Sequence, residues 1–531
     1  SNFSARTTRV LDSGQQGRLW DTLDTGLGGA QMTVGSFYPC VWLGSERRGL
    51  LWWGDDDQGW FPDDDVAAHS VRRDGDAVIL TNHIIGQPVT LDEERTVTFS
   101  YMATPFRPLP KGWRASIHSR DGTFDGPHKS RKDPETGKNI RAWWCLTPPS
   151  HDPEEWGELW AQYREEAKKK VRKRRPFDPN RARNGAYVHN SIPLIGYYQS
   201  LDQKVKRYFS EAWGEGRYSC FTDTHSDYLL WIIDRAFGEG GLKTIYWDLF
   251  FPTPVKAPHV GVGYELPDGR IQPGYFGFNL RRFMMRLYAL NVRHGLAPGG
   301  NVAHATNAPF LVAAPWVDAI LDGEAHLIRE DSSFDYVDGW PVDRMRALSC
   351  SHNFGYHVTW MDKIVFRGPE AMALRRQQFD YIRMFDSWGT HNYEIITGRM
   401  LRWGINDPDV EYVPFWRNPH VESGDEDVLV STWRLPDRVM LGVFNYDGEK
   451  AREVELEVDL EALDLIPEKP WQEFIRAYSL DRQADYSGAW GKDDTPEEEW
   501  MGEPKLDVHA RTLNVGKIPP HRGRFLCIRR F

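Results

Sequence analysis

Short runs of β-branched and aromatic residues, broken by Gly, Asp and Arg, dominate the first hundred positions. The segments MTVGSFYPCVWLG (32–44), GLLWWG (49–54), DAVILTNHII (76–85) and RTVTFSYMAT (95–104) are strand-length and bounded by turn residues. That pattern predicts antiparallel strands and an N-terminal β-sandwich over residues 1–110. It closes at ATPFRPLPKGW (103–113), whose three prolines mark an interdomain hinge. The pattern then changes. Between 111 and 405, apolar strand candidates alternate with amphipathic helical stretches such as DYLLWIIDRAFGEG, NLRRFMMRLYALNVRHG and GPEAMALRRQQFDYIRMFDSW. Alternation of this kind is the signature of βα units around a parallel sheet.

Eight strands are expected, at 113–119, 141–147, 185–191, 243–249, 300–306, 316–322, 355–361 and 388–393. Eight is the number that closes a (β/α)8 TIM barrel. From 406 to 531 the period returns to two, in DVLVSTWRL, DRVMLGVFNYDG, AREVELEVDL and the terminal TLNVGKIPPHRGRFLCIRRF. The expected fold is therefore multidomain α/β plus all-β: a central barrel flanked by N-terminal and C-terminal antiparallel β-sandwiches.

In such a barrel, chemistry belongs at the C-terminal ends of the strands. Few polar residues satisfy that rule. Asp248 interrupts the apolar and aromatic run TIYWDLFF (244–251) where strand should meet loop, and a carboxylate in such a setting must be paired or used. A structural Asp holding loop amides is the alternative. In WVDAILDGEAH (316–326), Asp318, Asp322 and Glu324 follow one another around a second strand end, and Gly323 permits the sharp turn that brings Glu324 to the rim. Two such carboxylates are the equipment of glycoside hydrolysis. Asp248 and Glu324 are the expected catalytic pair, with Asp322 the rival for the second role, because register is not fixed by sequence. Asp318 is expected to face a neighbouring strand or helix.

Around the pair, His304 and Asn307 end the fifth expected strand, where they suit sugar hydroxyls or, for His304, a core position. The glycine-rich stretch HVGVGYELPDGRIQPGYFGFNLRR (259–282) carries Tyr264, Glu265, Asp268 and Arg270; its length suggests a substrate-covering loop. Tyr264 and Arg270 join the expected substrate-binding set.

Composition sharpens this picture at one point. The chain has 531 residues and 23 Trp, and Trp, Tyr and Phe together make 13% of it. Sugar rings stack their C–H faces on such side chains. Trp143, Trp144, Trp247, Trp340, Trp360 and Trp388 fall near expected strand ends, and of these Trp144 and Trp247 are singled out for substrate; core packing is the alternative for each. The remaining composition serves to exclude. A net charge of −11 argues against nucleic acid as partner. The basic run 168–183 reads as a solvated helix end. No run reaches the ~18 apolar residues of a membrane span. Five scattered cysteines without a CxxC pair give neither a disulfide framework nor a zinc site. His189, His357 and His391 come from separate strands without HxH or HExxH spacing, so neither a metal nor another cofactor is expected. The GxSxG, GxGxxG and GxxxxGK[ST] patterns are missing. The polar start SNFSARTTRV is read as that of a chain exported with its leader already removed, a cytoplasmic location being the alternative. Nothing in the sequence signals an oligomeric state.

The stretch VWLGSERRGLLWWGDDDQGW (41–60), the 103–113 hinge, YWD (246–248) and LDGE (321–324) resemble glycoside-hydrolase-like proteins related to glycoside hydrolase family 123. The resemblance spans most of the chain. It implies the sandwich, barrel and sandwich order and carbohydrate cleavage. Family 123 enzymes carry an Asp-Glu neighbour pair, whereas Leu249 follows Asp248 here, a departure that speaks against N-acetylhexosaminidase activity. The layout is also similar to α-galactosidase-like barrels. That likeness implies a nucleophilic Asp ending strand four, matching Asp248, and an acid/base ending strand six, matching Glu324. The function expected is a retaining, exo-acting α-glycosidase on a galactose-type or related sugar in a polysaccharide or oligosaccharide. The alternatives are a carbohydrate-binding protein without catalysis and a polysaccharide lyase.

Overall fold

A computed structural model describes residues 15–25, 32–111 without 46, 113–116, 154–161 in part, 185–189, 214–238 without 216–217, 244–248, 251–296, 301–304, 308–322, 336–348, 354–360, 369–389, 400, 403–466, 475–480 and 502–530. Two compact units divide the chain. The first comprises Ser1–Pro108, Gly126–Ile320 and Asn353–Tyr356; the second comprises Leu109–Asp125, Leu321–His352 and His357–Phe531.

In the first unit six strands form two three-stranded antiparallel sheets, with Gly17–Asp21 and His69–Asp74 joining strands from the expected N-terminal runs. One has the order Gly17–Asp21, His69–Asp74, Ala77–Asn82, and the other Cys40–Gly44, Gly49–Trp53, Ser100–Thr104. Leu19, Val41 and Val71 join them in one small core. A second, aromatic core holds Phe37, Trp52, Trp60, His69 and Tyr275, all buried, with ring centroids from 4.6 to 6.5 Å apart. His69 Nδ1 donates to Asn82 Oδ1, and burial lowers its pKa to about 4, so the ring packs as a neutral aromatic.

Parallel pairing begins at Gly185–His189. It lies beside Thr244–Asp248, which lies in turn beside Asn301–His304, with Asp248 opposite His189 and Trp247 opposite Ala303. The strand Ala319–Asp322 continues this order next to Asn301–His304. Two helices, Asp223–Gly238 and Gly277–Arg293, precede and follow the 244–248 strand. They are parallel, since Arg282 meets Asp223 (2.8 Å), Arg286 meets Asp227 (2.5 Å) and His294 meets Asp234 (2.7 Å) in step. Parallel strands with parallel helices between them are the βα repeats that the sequence pattern predicts.

The starts of two of these strands are locked by one carboxylate. Asp318 Oδ2 accepts the Asn301 amide (3.0 Å), the Asp318 amide donates to the Asn301 carbonyl (2.9 Å), and Arg107 Nη2 donates to Asp318 Oδ1 (2.9 Å) and the Val317 carbonyl (2.7 Å). Arg107 belongs to the proline-rich hinge, which also reaches Gly355: Arg107 Nε donates to the Gly355 carbonyl. Gly355 has φ +84°, and a Cβ there would stand 1.8 Å from the Arg107 carbonyl oxygen, so only glycine fits this approach.

The second unit holds a parallel pair, His357–Trp360 with Trp388–Gly389, the helix Pro369–Arg383, and two antiparallel sheets. One sheet orders Glu411–Val413, Val428–Leu435, Arg438–Asn445, Gly523–Arg530 and Ile475–Ser479; the other orders Val421–Glu422, Arg452–Val458, Thr512–Ile518 and Lys505–Asp507. Arg452–Val458 alternates buried and open positions, as a sheet with one wet face must. Val428–Leu435 and Arg438–Asn445 are buried on both faces. Val430, Val439, Leu441 and Val443 pack toward Val454 and Leu456 of the second sheet, while Trp433, Met440, Phe525 and Cys527 pack with Trp388, Met400 and Ile405.

One strand expectation is corrected. Residues 113–116 of the expected 113–119 strand form a 3-10 turn, Trp113–Ser116. The turn lets Arg114 enter the interior and form a two-pronged ion pair with Asp386, whose Oδ1 also accepts from Trp433 Nε1 (3.0 Å). A buried ion pair requires its geometry to be met in full, and that demand overrides strand propensity. The expected strand at 141–147 lies outside the described residues.

Removing one partner of such a pair leaves a buried charge uncompensated, at a cost of roughly 3–5 kcal/mol. Arg114→Ala and Asp318→Ala should each lower the urea midpoint of the unfolding transition of their own unit, followed by tryptophan fluorescence. An exposed control, Arg72→Ala, removes a pair with exposed partners and should leave the unfolding free energy within about 0.5 kcal/mol of wild type.

Candidate functional site

Two places concentrate chemistry-bearing residues. The first is the set of strand ends in the parallel sheet. Gly185–His189, Thr244–Asp248, Asn301–His304 and Ala319–Asp322 each end on a residue able to exchange or share a proton. Their backbones bring Asp248 beside His189 by direct register, and His304 follows Ala303, the partner of Trp247. Glu324, Asn307 and Trp144 lie outside the described residues.

Trp247 is the described member of the expected substrate-stacking pair, and it is fully buried with its ring at a T-shaped angle to Phe283, 5.4 Å between centroids. Trp247 lies against the 277–293 helix. The ring thus packs in the core. Trp340, Trp360 and Trp388 are buried in the same way, Trp340 and Trp360 edge to face at 5.0 Å. Among the described candidates, the tryptophan surplus is packing material.

The second place lies within the region expected to form the N-terminal sandwich. The loop Asp55-Asp56-Asp57 follows the strand Gly49–Trp53 and enters the segment 251–278, which comes after the 244–248 strand. Asp55 accepts from Trp53 Nε1 (2.7 Å) and, with both oxygens, from the Phe278 amide (3.2 and 3.1 Å) at the start of the 277–293 helix. It thereby satisfies an orphan donor where the helix dipole is positive. The approach is close, for a Cβ on Gly277 would stand 2.0 Å from Trp53 Cζ2. Asp57 is fully buried and accepts from Tyr264 Oη (3.0 Å) and Gln272 Nε2 (2.9 Å). Gln272 in turn donates to the Val34 carbonyl and accepts the amides of Thr33 and Val34.

Burial pushes the Asp55 carboxyl up to about 7, against the lowering effect of the Trp53 and Phe278 hydrogen bonds. Burial likewise pushes Asp57 up to about 6, opposed by Gln272 and Tyr264. The Tyr264 phenol is raised, first by desolvation and then by the charge of Asp57.

Tyr264 is therefore engaged with a carboxylate of its own chain. Arg270 is exposed on the turn of the 264–272 hairpin and pairs with Asp268 (2.7 Å). The stretch expected to cover substrate is pinned: Val255 and Gly274 exchange amide hydrogen bonds, and the Tyr275 amide donates to the Asp55 carbonyl (2.6 Å). The signal that locates this cluster was visible, since three consecutive aspartates after LLWWG cannot all be solvated beside so much apolar surface. Among the described residues, no group of three or more His, Cys, Asp or Glu could hold a metal ion, and no helix is long and apolar enough to cross a membrane.

No family model matches the chain, and no curated protein matches it in sequence. Solved structures similar to it are glycoside hydrolases. A noncanonic maltogenic alpha-amylase, AmyB from Thermotoga neapolitana, aligns at TM-score 0.37 and 10% identity over 71% of this chain and 81% of its own. The glycoside hydrolase family 30 subfamily 8 xylanase Xyn30A from Clostridium acetobutylicum aligns at 0.29 and 10% over 58% and 71%. An Anoxybacillus alpha-amylase aligns at 0.33 and 6% over 62% and 69%. Scores of this size mark a loose likeness.

Tyr264→Phe removes one of the two side-chain donors to Asp57 while keeping the ring. A buried acceptor so deprived costs about 1–3 kcal/mol. The expected outcome is a lowered thermal midpoint at pH 8, where Asp57 is ionised, with a smaller loss at pH 5, where the carboxyl is protonated; calorimetry at both pH values checks it.

Proposed function

We propose that the chain is a glycoside hydrolase whose reacting groups stand at the C-terminal ends of a (β/α)8 barrel spanning 111–405, between β-sandwich domains at 1–110 and 406–531. The observation that carries the reading is a parallel strand, Thr244–Asp248, ending on a carboxylate between strands that end on His189 and His304. Ends of parallel strands are where a barrel offers its reactive groups. A lone carboxylate after four apolar or β-branched residues has a chemical use in acetal cleavage, where a charge is needed against the oxocarbenium-like transition state.

In this reading Asp248 attacks the anomeric carbon as the leaving oxygen takes a proton from Glu324. The glycosyl ester on Asp248 then yields to a water that Glu324 deprotonates. Asp322, the last residue of its strand, is the alternative acid/base. His304 and Asn307 suit the sugar hydroxyls. The substrate class is an α-linked galactose-type or related sugar at a chain end.

Asp248→Asn and Glu324→Gln should each reduce turnover on a glycan library by at least about 10³-fold, with Asp322→Asn near wild type. If Asp322→Asn is the crippled variant and Glu324→Gln is active, the two exchange roles. An NMR spectrum of the first-formed product anomer reads the stereochemistry: retention is expected, and inversion would require the carboxylates ~6.5–9.5 Å apart with Asp248 or its partner acting through water. Wild-type turnover in all three variants, or saturable sugar binding with no product from the native protein, would remove the hydrolase reading.

A further inference from the structure

Gln272 lies on the return strand of the 264–272 hairpin, within the 251–276 stretch that comes after the strand Thr244–Asp248 and leads into the helix Gly277–Arg293. Its side chain is fully buried, and the amide uses both of its donors and accepts twice at its oxygen. Nε2 donates to Asp57 Oδ2 (2.9 Å) and to the Val34 carbonyl (2.8 Å), while Oε1 accepts the amides of Thr33 (3.0 Å) and Val34 (3.1 Å). All of these partners belong to the N-terminal region. Thr33 Oγ1 adds a bond to the Ile271 carbonyl (2.6 Å), and Tyr264 Oη, on the outgoing strand of the hairpin, reaches Asp57 Oδ1 (3.0 Å). The socket is itself braced, since the Gly35 amide, next to Val34, donates to Asp64 Oδ1 (2.7 Å). Donors from both hairpin strands converge on Asp57, an arrangement that suits its carboxylate form.

A buried amide met in every direction fixes position more tightly than apolar packing does, because displacing it leaves several polar groups unpaired at once. What Gln272 fixes is the stretch that follows the proposed nucleophile. Between Asp248 and Gln272, the residues Lys256, His259 and Glu265 are exposed. A cation, an imidazole and a carboxylate are the kinds of group that read sugar hydroxyls.

We propose that Gln272 is a positioning residue for substrate: seated among Thr33, Val34 and Asp57, it holds the 251–276 stretch as one wall of the sugar site, which the N-terminal region thereby completes. This placement rests on the hydrolase reading, in which loops after parallel strands line the face that carries the chemistry. Asp248 itself ends a strand aligned by its ladders to the strands on either side, not by this socket. Displacing the wall therefore weakens sugar binding and spares the bond-breaking step, which in kinetic terms raises KM at little-changed kcat.

Gln272→Glu keeps the oxygen that accepts from Thr33 and Val34 and turns the donor into a charged oxygen facing Asp57 and the Val34 carbonyl. On the library glycan that the native protein cleaves, this variant should raise KM by at least about tenfold with kcat within about threefold of native. Adding Asp57→Asn supplies a donor to the new oxygen and should recover at least about threefold of the KM. Thr33→Val, which removes only the bond to the Ile271 carbonyl, is the gentler variant and should raise KM about threefold even if Gln272→Glu folds poorly. Hydrogen exchange on full-length Gln272→Glu separates placement from folding: protection should fall by at least about tenfold at the amides of Val255, Val262 and Gly274 and stay native at Leu287 in the helix. Native KM in both single variants, a loss carried by kcat, no recovery on adding Asp57→Asn, or protection lost equally throughout the first unit would each overturn the positioning role and leave the hydrolase reading standing. A native protein that cleaves no glycan removes the hydrolase reading and this role with it.

Discussion

The carboxylate of Asp318 joins three parts of this architecture. It accepts the Asn301 amide and a guanidinium N–H of Arg107, so it ties the start of one parallel strand to the residue that precedes the next and both to the proline-rich hinge. Register follows from that contact. A parallel ladder shifted by one residue would exchange the faces of Asn301–His304 and move the buried Asn301 and Ala303 outward. Whatever the strand ends do depends on this alignment at the strand starts.

The same logic recurs wherever a charge is buried. Arg114 is buried with Asp386, Asp380 is buried beside the part-buried Arg522, and Asp57 is buried among its donors, so that each buried carboxyl is met by specific donors or a counter-charge. Hydrophobic burial makes the core, but these groups specify where its pieces meet, because an unmet buried charge costs several kcal/mol. At Asp57 the demand is met by neutral donors, and burial holds its carboxyl above the ordinary range while Gln272 and Tyr264 pull it down.

The aromatic surplus is mostly explained by packing. Trp52 and Trp60 gather around Phe37 and His69; Trp247 meets Phe283; Trp340 meets Trp360; Trp433 closes over Asp386. Large rings supply area and a polar N–H at once, and several indoles here spend that N–H on a carboxylate or hydroxyl, as Trp53 does on Asp55 and Trp42 on Thr104. A composition that suggests sugar stacking is thus answered, among the described residues, by interior contacts.

By itself the sequence determined the periodicities: the period-two strands of the two β-rich regions, and the apolar runs that became Thr244–Asp248, Asn301–His304 and His357–Trp360. These are local, set by side-chain alternation and by a polar residue that stops an apolar run. It also made Asp248 a strand terminus and Asp318 a residue facing its neighbouring strand. Tertiary structure alone decided that 113–116 turns instead of extending, that Trp247 is covered, and that two aspartates after an N-terminal strand, Asp55 and Asp57, hold a segment some two hundred residues downstream. The physical reason is the same in each case: burial is a property of the assembled chain, and the partner that makes a buried charge or ring tolerable is distant in sequence and adjacent only in space.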